Sequence, residues 1–449
     1  MLSLIQAAIK YWRAHIIRSD LQGIVLFSLV WIIIGIINIY SATMIASQGQ
    51  AVWYQSYYIR HIGYLIFSCA IGYLCYRMDY EKFRTQRALY LTVTIVVVGL
   101  IAVLIKGDVI NGAQRWIRLG GVSIQPSEFA KLGAILVSAH YIDLQRRIQK
   151  HGLSWFETYN YKWPFSFPKG WQGQDGPFFA RALLMPMVFA ALTFVEPDTG
   201  TAAIILALPV MLILLGGLSR AQLKLFVGTV VVLGILAFMA VQHSEYRWKR
   251  IVAWYDPWGY AQSLSYQSVQ SMVAIGSGGI FGQGVAQGTA KYYYLPEAHT
   301  DFAFAVWAQE TGLIGSLLLA FVVGMFMVYG FSIASNAKDY YGKLLASGIT
   351  IVIGGQAVFN MLMVCGMIPV TGVPLPFVSY GGSSLFMNII AISILFNIAH
   401  RTALAKQKIG IAGHIPSLRE ETRSRFTPGR VDYSKYVYFL YLYERIRRR

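Results

Sequence analysis

The run LYLTVTIVVVGLIAVLIK at residues 89–106 has a single charged side chain, at its last position. Eighteen helical residues at about 1.5 Å each reach roughly 27 Å, close to the ~30 Å hydrocarbon thickness of a bilayer. Similar runs recur along the chain, at 22–41, 58–76, 126–142, 182–195, 199–217, 224–242, 302–330, 344–367 and 383–400. The sequence therefore predicts ten membrane-spanning segments, with nine or eleven as alternatives.

These segments are expected to be helices, because backbone groups in lipid need hydrogen-bond partners within their own segment. The alternating pattern of barrel strands is absent from them. With 56% hydrophobic and 13% charged residues, the chain is predicted to be an all-α polytopic membrane protein, which excludes a water-soluble enzyme. Three scattered cysteines, all in apolar runs, give neither metal-ligand spacing nor a disulfide framework.

The predicted organisation has three parts. Residues 1–21 form an interfacial segment rather than a cleavable signal, because Lys10, Arg13 and Arg18 interrupt the apolar residues. Residues 22–400 form the membrane domain, with a long inner loop at 143–181 and a large outer loop at 243–300 between spans seven and eight. Residues 401–449 form a basic tail that is expected, like the inner loop, to lie against anionic lipid headgroups.

The net charge of +18 has an explanation that does not involve nucleic acid. If both termini are cytoplasmic, 29 of the 38 Lys and Arg residues fall in inner segments and 8 in outer ones. This distribution is typical of a membrane protein in that orientation. The outer side then receives most of the polar loops rich in Gly and Pro, which are 111–121, 196–201, 243–300 and 369–382.

Asp256 is the main catalytic candidate. It lies beside Trp254, Tyr255 and Trp258 in the outer loop. Partial desolvation at a bilayer surface would raise the pKa of its carboxyl towards that of a general base. The alternative is that the Asp-Pro pair only begins a turn.

Basic residues precede this aspartate. Arg247, Lys249 and Arg250 suit a phosphate-bearing ligand, although cations at a span end also reach towards the membrane surface without binding anything. Glu128 and Lys131 share one helix face within a span and are expected to pair, to line a polar cavity for an anionic headgroup, or both.

Three further features are candidates for a functional site. His299 is either an acid–base group or a structural hydrogen bonder. The glycines of GSGGIFGQG (276–284) favour a tight turn over a phosphate loop, because no strand or Walker lysine accompanies them. Carboxylates at span ends could hold Mg²⁺ together with a diphosphate, and the candidates are Glu196, Asp198, Asp301 and Glu310.

Seven stretches together resemble the SEDS family of polytopic cell-wall glycosyltransferases, typified by FtsW, RodA and SpoVE. They occur in the family's order between about residues 111 and 384, and LPEAHTDF at 295–302 is closer to the FtsW branch. The seven are NGAQRWI, QPSEFAK, EPDTGT, RIVAWYDPW, YQSVQSMVAIGSGGIFGQG, LPEAHTDFAFAV and GVPLPFVSYGGSS.

The resemblance implies polymerisation of the lipid-linked precursor lipid II into β-1,4-linked glycan strands at the outer face of the bacterial cytoplasmic membrane. Asp256 matches the family's essential aspartate and would act as general base on the acceptor 4-hydroxyl, with undecaprenyl diphosphate leaving. The residues expected to contact substrate are Arg247, Arg250, Lys131, Glu128, Arg115, His299, Asp301 and Ser379.

The resemblance also implies partners and cofactors. A class B penicillin-binding protein and other division or elongation proteins would be membrane partners, a divalent cation such as Mg²⁺ could sit at the diphosphate, and no organic cofactor is expected. Two other functions stay open on the sequence: a lipid II flippase, suggested by intramembrane charges and broken helices, and a non-catalytic division scaffold. Gln309 departs from the family, where a Glu is common at this position.

Overall fold

The computed structural model describes residues 19–44, 56–110, 113–119, 122–151, 178–217, 220–292 and 295–425. The predicted segment 1–21, most of the inner loop 143–181 and the end of the basic tail fall largely outside these ranges. The chain divides into two compact units, Met1–His400 and Arg401–Arg449. All of the candidate site residues belong to the first unit.

The described residues form twelve α-helices. Ten of them coincide with the ten predicted spans, which confirms the predicted helical membrane architecture. In chain order these are α1 (Asp20–Thr43), α2 (Tyr57–Arg77), α3 (Gln86–Lys106), α4 (Pro126–His151), α5 (Phe178–Val195), α6 (Thr199–Gly216), α7 (Arg220–Gln242), α10 (Ala303–Asn336), α11 (Tyr340–Val364) and α12 (Gly382–Arg425), with α8 (Glu245–Tyr255) and α9 (Tyr266–Ser277) in the outer loop.

Within the described residues, seven helices are long and apolar enough to span a bilayer by themselves: α1, α2, α3, α6, α10, α11 and α12. Shorter apolar stretches at Arg181–Val195 and Phe226–Leu236 mark α5 and α7. Helix α4 is different, because its first twenty residues are almost entirely buried and include Glu128 and Lys131. Protein surrounds these two charged side chains, so they can lie within the membrane.

Aromatic packing marks the centre of the bundle. Helix α10 packs along both α1 and α11, and α4 packs against α5 and α6. Trp31 of α1 is fully buried and meets the rings of Phe326 and Phe377 edge to face, with centroids 5.5 and 5.2 Å away. By contrast, α2 and α3 bury only 17% and 22% of their apolar windows. The two helices therefore leave most of their apolar surface for lipid.

A small antiparallel sheet lies where the sequence predicted only a loop. Its strands are β1 (Asp108–Ile110), β2 (Ala113–Leu119) and β3 (Val122–Ile124), with Asp108 opposite Trp116 and Ile117 opposite Ile124. The branched and aromatic residues of AQRWIRL suit a strand, and the Asn-Gly and Gly-Gly pairs that separate the strands are typical of hairpin turns. The helical prediction therefore holds for the spans but omits this sheet.

The predicted outer loop (243–300) pairs with α10 through backbone hydrogen bonds of residues 279–284. Helix α10 is broken at Gly312, where φ is 65°. The N–H groups of Leu313 and Ile314 donate to the carbonyls of Gly279 and Ile280. The stretch GSGGIFGQG is therefore a tight turn that pairs with a broken helix, as the sequence favoured.

Candidate functional site

Asp256 terminates helix α8. It is the C-cap residue, and Pro257 follows it, so the helix cannot continue. Its side chain is exposed, and Oδ1 accepts a hydrogen bond of 3.0 Å from the N–H of Gly259. The turn that the Asp-Pro pair was expected to begin is present, and it engages only one carboxylate oxygen.

The surroundings of Asp256 are aromatic and exposed. Trp254, Tyr255 and Trp258 are 39%, 88% and 64% exposed, which is typical of side chains at a membrane–water interface. Among the described residues the side chain of Asp256 is exposed, so the predicted partial desolvation at a bilayer surface stays a prediction.

Hydrogen bonds to a loop much later in the sequence hold helix α8 in place. Trp254 Nε1 donates to the carbonyl of Gly366 at 3.1 Å, and Arg250 Nη1 donates to that of Val370 at 3.2 Å. Ser265, at the start of α9, donates to the carbonyl of Ala253 at 2.7 Å. These bonds hold the position of Asp256 against the segment 366–381, which joins α11 to α12.

The other two basic candidates on α8 are placed differently. Lys249 pairs with Glu245 one turn earlier at 2.5 Å, on an exposed face, and this pair accounts for it without a ligand. Arg247 lies within α8, but its side chain is outside the described part. Arg250 is close enough to Asp301 to oppose the rise in the pKa of that carboxyl.

A second charged group lies beside the same loop. The guanidinium of Arg115, on β2, donates to the carbonyl of Pro197 and lies 3.8 Å from Asp198 Oδ1. Gly372 has its Cα beside both Asp301 and Arg115, because a Cβ there would lie 3.3 Å from the carboxylate of Asp301 and 3.7 Å from the guanidinium. Arg115 and Asp301 thus lie beside the same glycine, and their predicted contact with substrate stays a prediction.

Burial raises the pKa of two carboxyls in this group. Burial, with the neighbouring Glu297 and Asp198, raises the pKa of Asp301 to about 7, against the opposing effect of Arg115 and Arg250. Burial and Asp198 raise the pKa of Glu196 to about 8.

Glu196 is fully buried, and among the described residues neither of its oxygens has a hydrogen-bond partner. A protonated Glu196 fits this setting better than an unpaired buried anion.

A divalent cation would find few protein ligands here. The described residues contain no group of three His, Cys, Asp or Glu side chains that could hold a metal. Asp198 is already engaged by Gln125 at 3.1 Å and by the N–H of Thr201 at 3.3 Å. The residues therefore fit Mg²⁺ only in the usual way for diphosphate sites, where one or two carboxylates act together with substrate oxygens and water.

Glu128 and Lys131 form the predicted ion pair, with a nitrogen–oxygen distance of 2.8 Å. Lys131 also donates to Gln356 at 2.7 Å, and Gln356 donates to the carbonyl of Pro374 at 2.8 Å. Both charged side chains are buried. The pair thus links α4 through α11 to the segment 366–381, and the contact with an anionic headgroup stays a prediction.

His299 and Ser379 have structural contacts. The carbonyl of His299 accepts from the N–H of Tyr380 at 2.8 Å, its ring lies 5.1 Å from that of Tyr57, and burial lowers its pKa. Ser379 accepts from the N–H of Leu375 at 2.8 Å and closes the turn that contains Phe377. These contacts account for both residues without a substrate, and their predicted substrate contacts stay untested.

The sequence did not reveal the role of Lys291, which was counted only as an outer-loop charge. It is buried and pairs with Glu310 at 2.8 Å, and it donates to Ser41 at 2.9 Å. Ser41 lies on α1, 250 residues away, so neither spacing nor local pattern could indicate this group. The sequence there shows only a single lysine between Gly-Thr-Ala and three tyrosines, a short way after the glycine-rich turn.

Comparisons with known proteins agree with the motifs. The profile of the FtsW/RodA/SpoVE family, described as a cell cycle protein, matches residues 22–404. The chain is 33% identical to the probable peptidoglycan glycosyltransferase FtsW of Coxiella burnetii, over 84% of this chain and 96% of that protein. It is 32% identical to stage V sporulation protein E of Bacillus subtilis, over 84% and 96%.

Solved structures show the same fold. A chain of a peptidoglycan synthase complex that couples polymerization and crosslinking superposes with a TM-score of 0.63 at 23% identity, over 85% of this chain and 97% of that one. The rod shape determining protein RodA of Thermus thermophilus superposes with a TM-score of 0.57 at 24% identity, over 84% and 96%. The chain therefore belongs to the FtsW/RodA/SpoVE family of multi-pass membrane proteins, and its similarities are FtsW-like.

Proposed function

We propose that this chain is a peptidoglycan glycosyltransferase that polymerises lipid II on the outer face of the cytoplasmic membrane, with Asp256 as general base. Family membership and the FtsW relatives support the activity. The observation that carries the residue assignment is the position of Asp256. It ends an amphipathic helix, its carboxylate is exposed among aromatic side chains, and Arg250 of the same helix points to a loop shared with Arg115 and Asp301.

The proposed step is an inverting transfer. Asp256 accepts the proton of the acceptor 4-hydroxyl, and that oxygen attacks the anomeric carbon of the donor. The bond from this carbon to the diphosphate oxygen breaks, and undecaprenyl diphosphate leaves with the electron pair. An α-linked donor thereby gives a β-1,4 bond. Because Oδ1 is held by Gly259, Oδ2 is the oxygen that remains available to the hydroxyl.

The leaving group needs positive charge more than it needs a proton, since a diphosphate is a weak base. Arg250 places a guanidinium charge beside the loop 366–381, where it donates to the carbonyl of Val370. We propose that Arg250 and Arg115, with Arg247 and Lys131, stabilise the charge that develops on the diphosphate. A bound Mg²⁺ would supply additional charge neutralisation there, with Asp198 or Asp301 as its protein ligands.

The features that suggested a flippase have structural explanations. The intramembrane charges Glu128 and Lys131 satisfy each other and Gln356. The break in α10 is re-paired by the outer loop rather than left to line a path. These two features therefore give no specific support to a transporter.

We further propose that a class B penicillin-binding protein is the membrane partner and that both termini are cytoplasmic. The neighbouring synthase-complex structure supports the partner, and the distribution of basic residues supports the orientation. Labelling of single cysteines at 250–260 and 335–340 in intact cells, by a reagent that does not cross the membrane, tests the orientation. Labelling only at 335–340 would reverse it.

The activity is tested with purified protein in detergent, where no bilayer exists to cross. Labelled lipid II, with and without the partner, should give glycan ladders. Asp256→Asn should remove them, while Glu245→Gln, which changes an exposed acid at the other end of the same helix, should not. Normal ladders from Asp256→Asn would overturn the proposed base. Translocation in liposomes without polymer under any condition would favour the transporter.

A further inference from the structure

The break in α10 is repaired by an exchange of backbone hydrogen bonds with the outer loop. In an unbroken helix, the N–H groups of residues 313 and 314 would donate to the carbonyls of residues 309 and 310. Here Gln309 and Glu310 instead accept from the N–H groups of Gln283 and Gly284, both at 3.0 Å. The segment 279–284 thus takes the place of the missing helical turn.

The side chain of Gln309 holds the next part of the same loop. Its Oε1 accepts from the N–H of Ala290 at 2.9 Å. Its Nε2 donates to Ser277 at 2.9 Å and Thr289 at 3.1 Å. The amide thereby connects the end of α9 to the end of the turn, and every polar atom of its side chain is used.

The carboxylate of Glu310 accepts hydrogen bonds from four donors. It accepts from Ser41 at 2.5 Å, from Lys291 at 2.8 Å, and from the N–H groups of Ala286 and Gly288 at 3.0 and 3.3 Å. The side chain of Lys291 is 0% exposed and that of Glu310 is 3% exposed. This is a fully desolvated ion pair, and removing one member would leave a buried charge without its partner.

The loop that this pair fixes is continuous with the helix that carries Asp256. Ser265 ties the start of α9 to α8, Ser271 ties its middle to the carbonyl of Val364 at 2.8 Å, and Gln309 ties its end. Beyond Lys291 the chain leads to Asp301. The ion pair therefore anchors the outer loop to α1 and α10 between two candidate site regions.

We propose that Lys291, Glu310 and Ser41 form a positioning lock that fixes the Asp256 region relative to the loop 366–381. None of the three touches the reacting atoms. The lock acts through α9 and through the residues that follow it, here named the turn 278–291. This inference rests on the proposed polymerase function. Loss of the lock should slow the chemical step while substrate binding is kept, because the candidate cations Arg115 and Lys131 are held by other contacts.

The test compares Lys291→Met, Glu310→Gln and the double variant, with kcat and KM measured from lipid II polymerisation. Lys291→Met should lower kcat at least tenfold with KM within about threefold, and the double variant should recover at least part of that loss because no unpaired charge remains. Lys338→Met is the matched control, since Lys338 pairs with Glu81 on an exposed surface away from the lock.

Hydrogen exchange separates a local lock from general instability. In Lys291→Met, amides of 278–291 should exchange at least tenfold faster, while those of α11 keep their protection. Unchanged kcat, a change confined to KM, a double variant as slow as Lys291→Met, or faster exchange in α11 to the same degree would overturn the inference. If the unaltered protein makes no polymer, or Asp256→Asn polymerises normally, the proposed function fails instead.

Discussion

Four glycines in the outer loop provide a factorial test of how the turn 278–291 docks on α10. Gly276 lies in α9 with open space around its Cα, and Gly279 has φ of +55° with equally open space. Gly278 has an ordinary φ, but an added Cβ would lie 2.4 Å from the carbonyl oxygen of Ala308. Gly282 combines both conditions, with φ of +82° and an approach of 2.1 Å to the carbonyl oxygen of Glu310. Backbone strain and steric clash can therefore be varied separately.

The expected cost of each alanine follows from these two conditions. Gly276→Ala should stabilise α9 by about 0.5–1 kcal/mol, as alanine does within a helix. Gly279→Ala should cost about 1 kcal/mol, because the left-handed conformation is unfavourable for alanine. Gly278→Ala should cost about 3 kcal/mol, since the clashing atom belongs to a helix backbone that cannot yield. Gly282→Ala combines the backbone strain with the steric clash and should lower the local stability by about 4 kcal/mol.

Amide exchange measures these local costs without unfolding the whole protein. With about 1.4 kcal/mol per factor of ten, Gly282→Ala should raise the exchange rates of the amides of Gln283, Gly284, Leu313 and Ile314 by roughly a thousandfold. Gly279→Ala should raise them by less than tenfold. The reasoning is refuted if Gly282→Ala exchanges like the unaltered protein, or if Gly276→Ala is as damaging as Gly282→Ala.

Three further predictions concern buried polar groups. Folding raises the pKa of Glu196 from 4.5 to about 8. The protonated side chain therefore contributes to stability below pH 4.5, and this contribution is lost as the pH rises to about 8. Glu196→Gln should accordingly make Tm fall less steeply across that range. Ser379→Ala should lower stability by about 1 kcal/mol and leave KM for lipid II unchanged; a raised KM would instead assign Ser379 to substrate binding. Lys131→Met should cost about 3–5 kcal/mol by leaving Glu128 unpaired, and adding Glu128→Gln should restore part of the Tm, measured by thermal unfolding in detergent.

The spans were predictable because bilayer thickness imposes a length on every crossing helix. That constraint acts locally, so each apolar run in the sequence has a helix at nearly the same residues. The Glu128–Lys131 pair was predictable for the same reason, since a separation of three residues defines a helix face. The small sheet at 108–124 was missed because a membrane-wide pattern of helices gave no reason to test a short outer segment for strand character.

The contacts that fix the candidate site could not be predicted, because they join residues far apart in the sequence. Arg250 meets Val370, Trp254 meets Gly366, and Gln356 meets Pro374 through side chain to backbone bonds. Every residue has a backbone carbonyl, so the sequence does not show which residue accepts these hydrogen bonds.

The segment 366–381 connects these dispersed candidate residues. It receives hydrogen bonds from α8 at Gly366 and Val370 and from Gln356 at Pro374, and it lies against Arg115 and Asp301 at Gly372. Asn360 of α11 donates both to the carbonyl of Asp301 at 2.8 Å and to that of Val373 at 2.7 Å. A single buried amide thereby couples the start of α10 to this segment. The proposed general base, the candidate cations and the intramembrane ion pair lie on different helices and on β2. Each group contacts the same short segment directly or through one neighbouring residue, so a displacement of that segment is expected to shift all three.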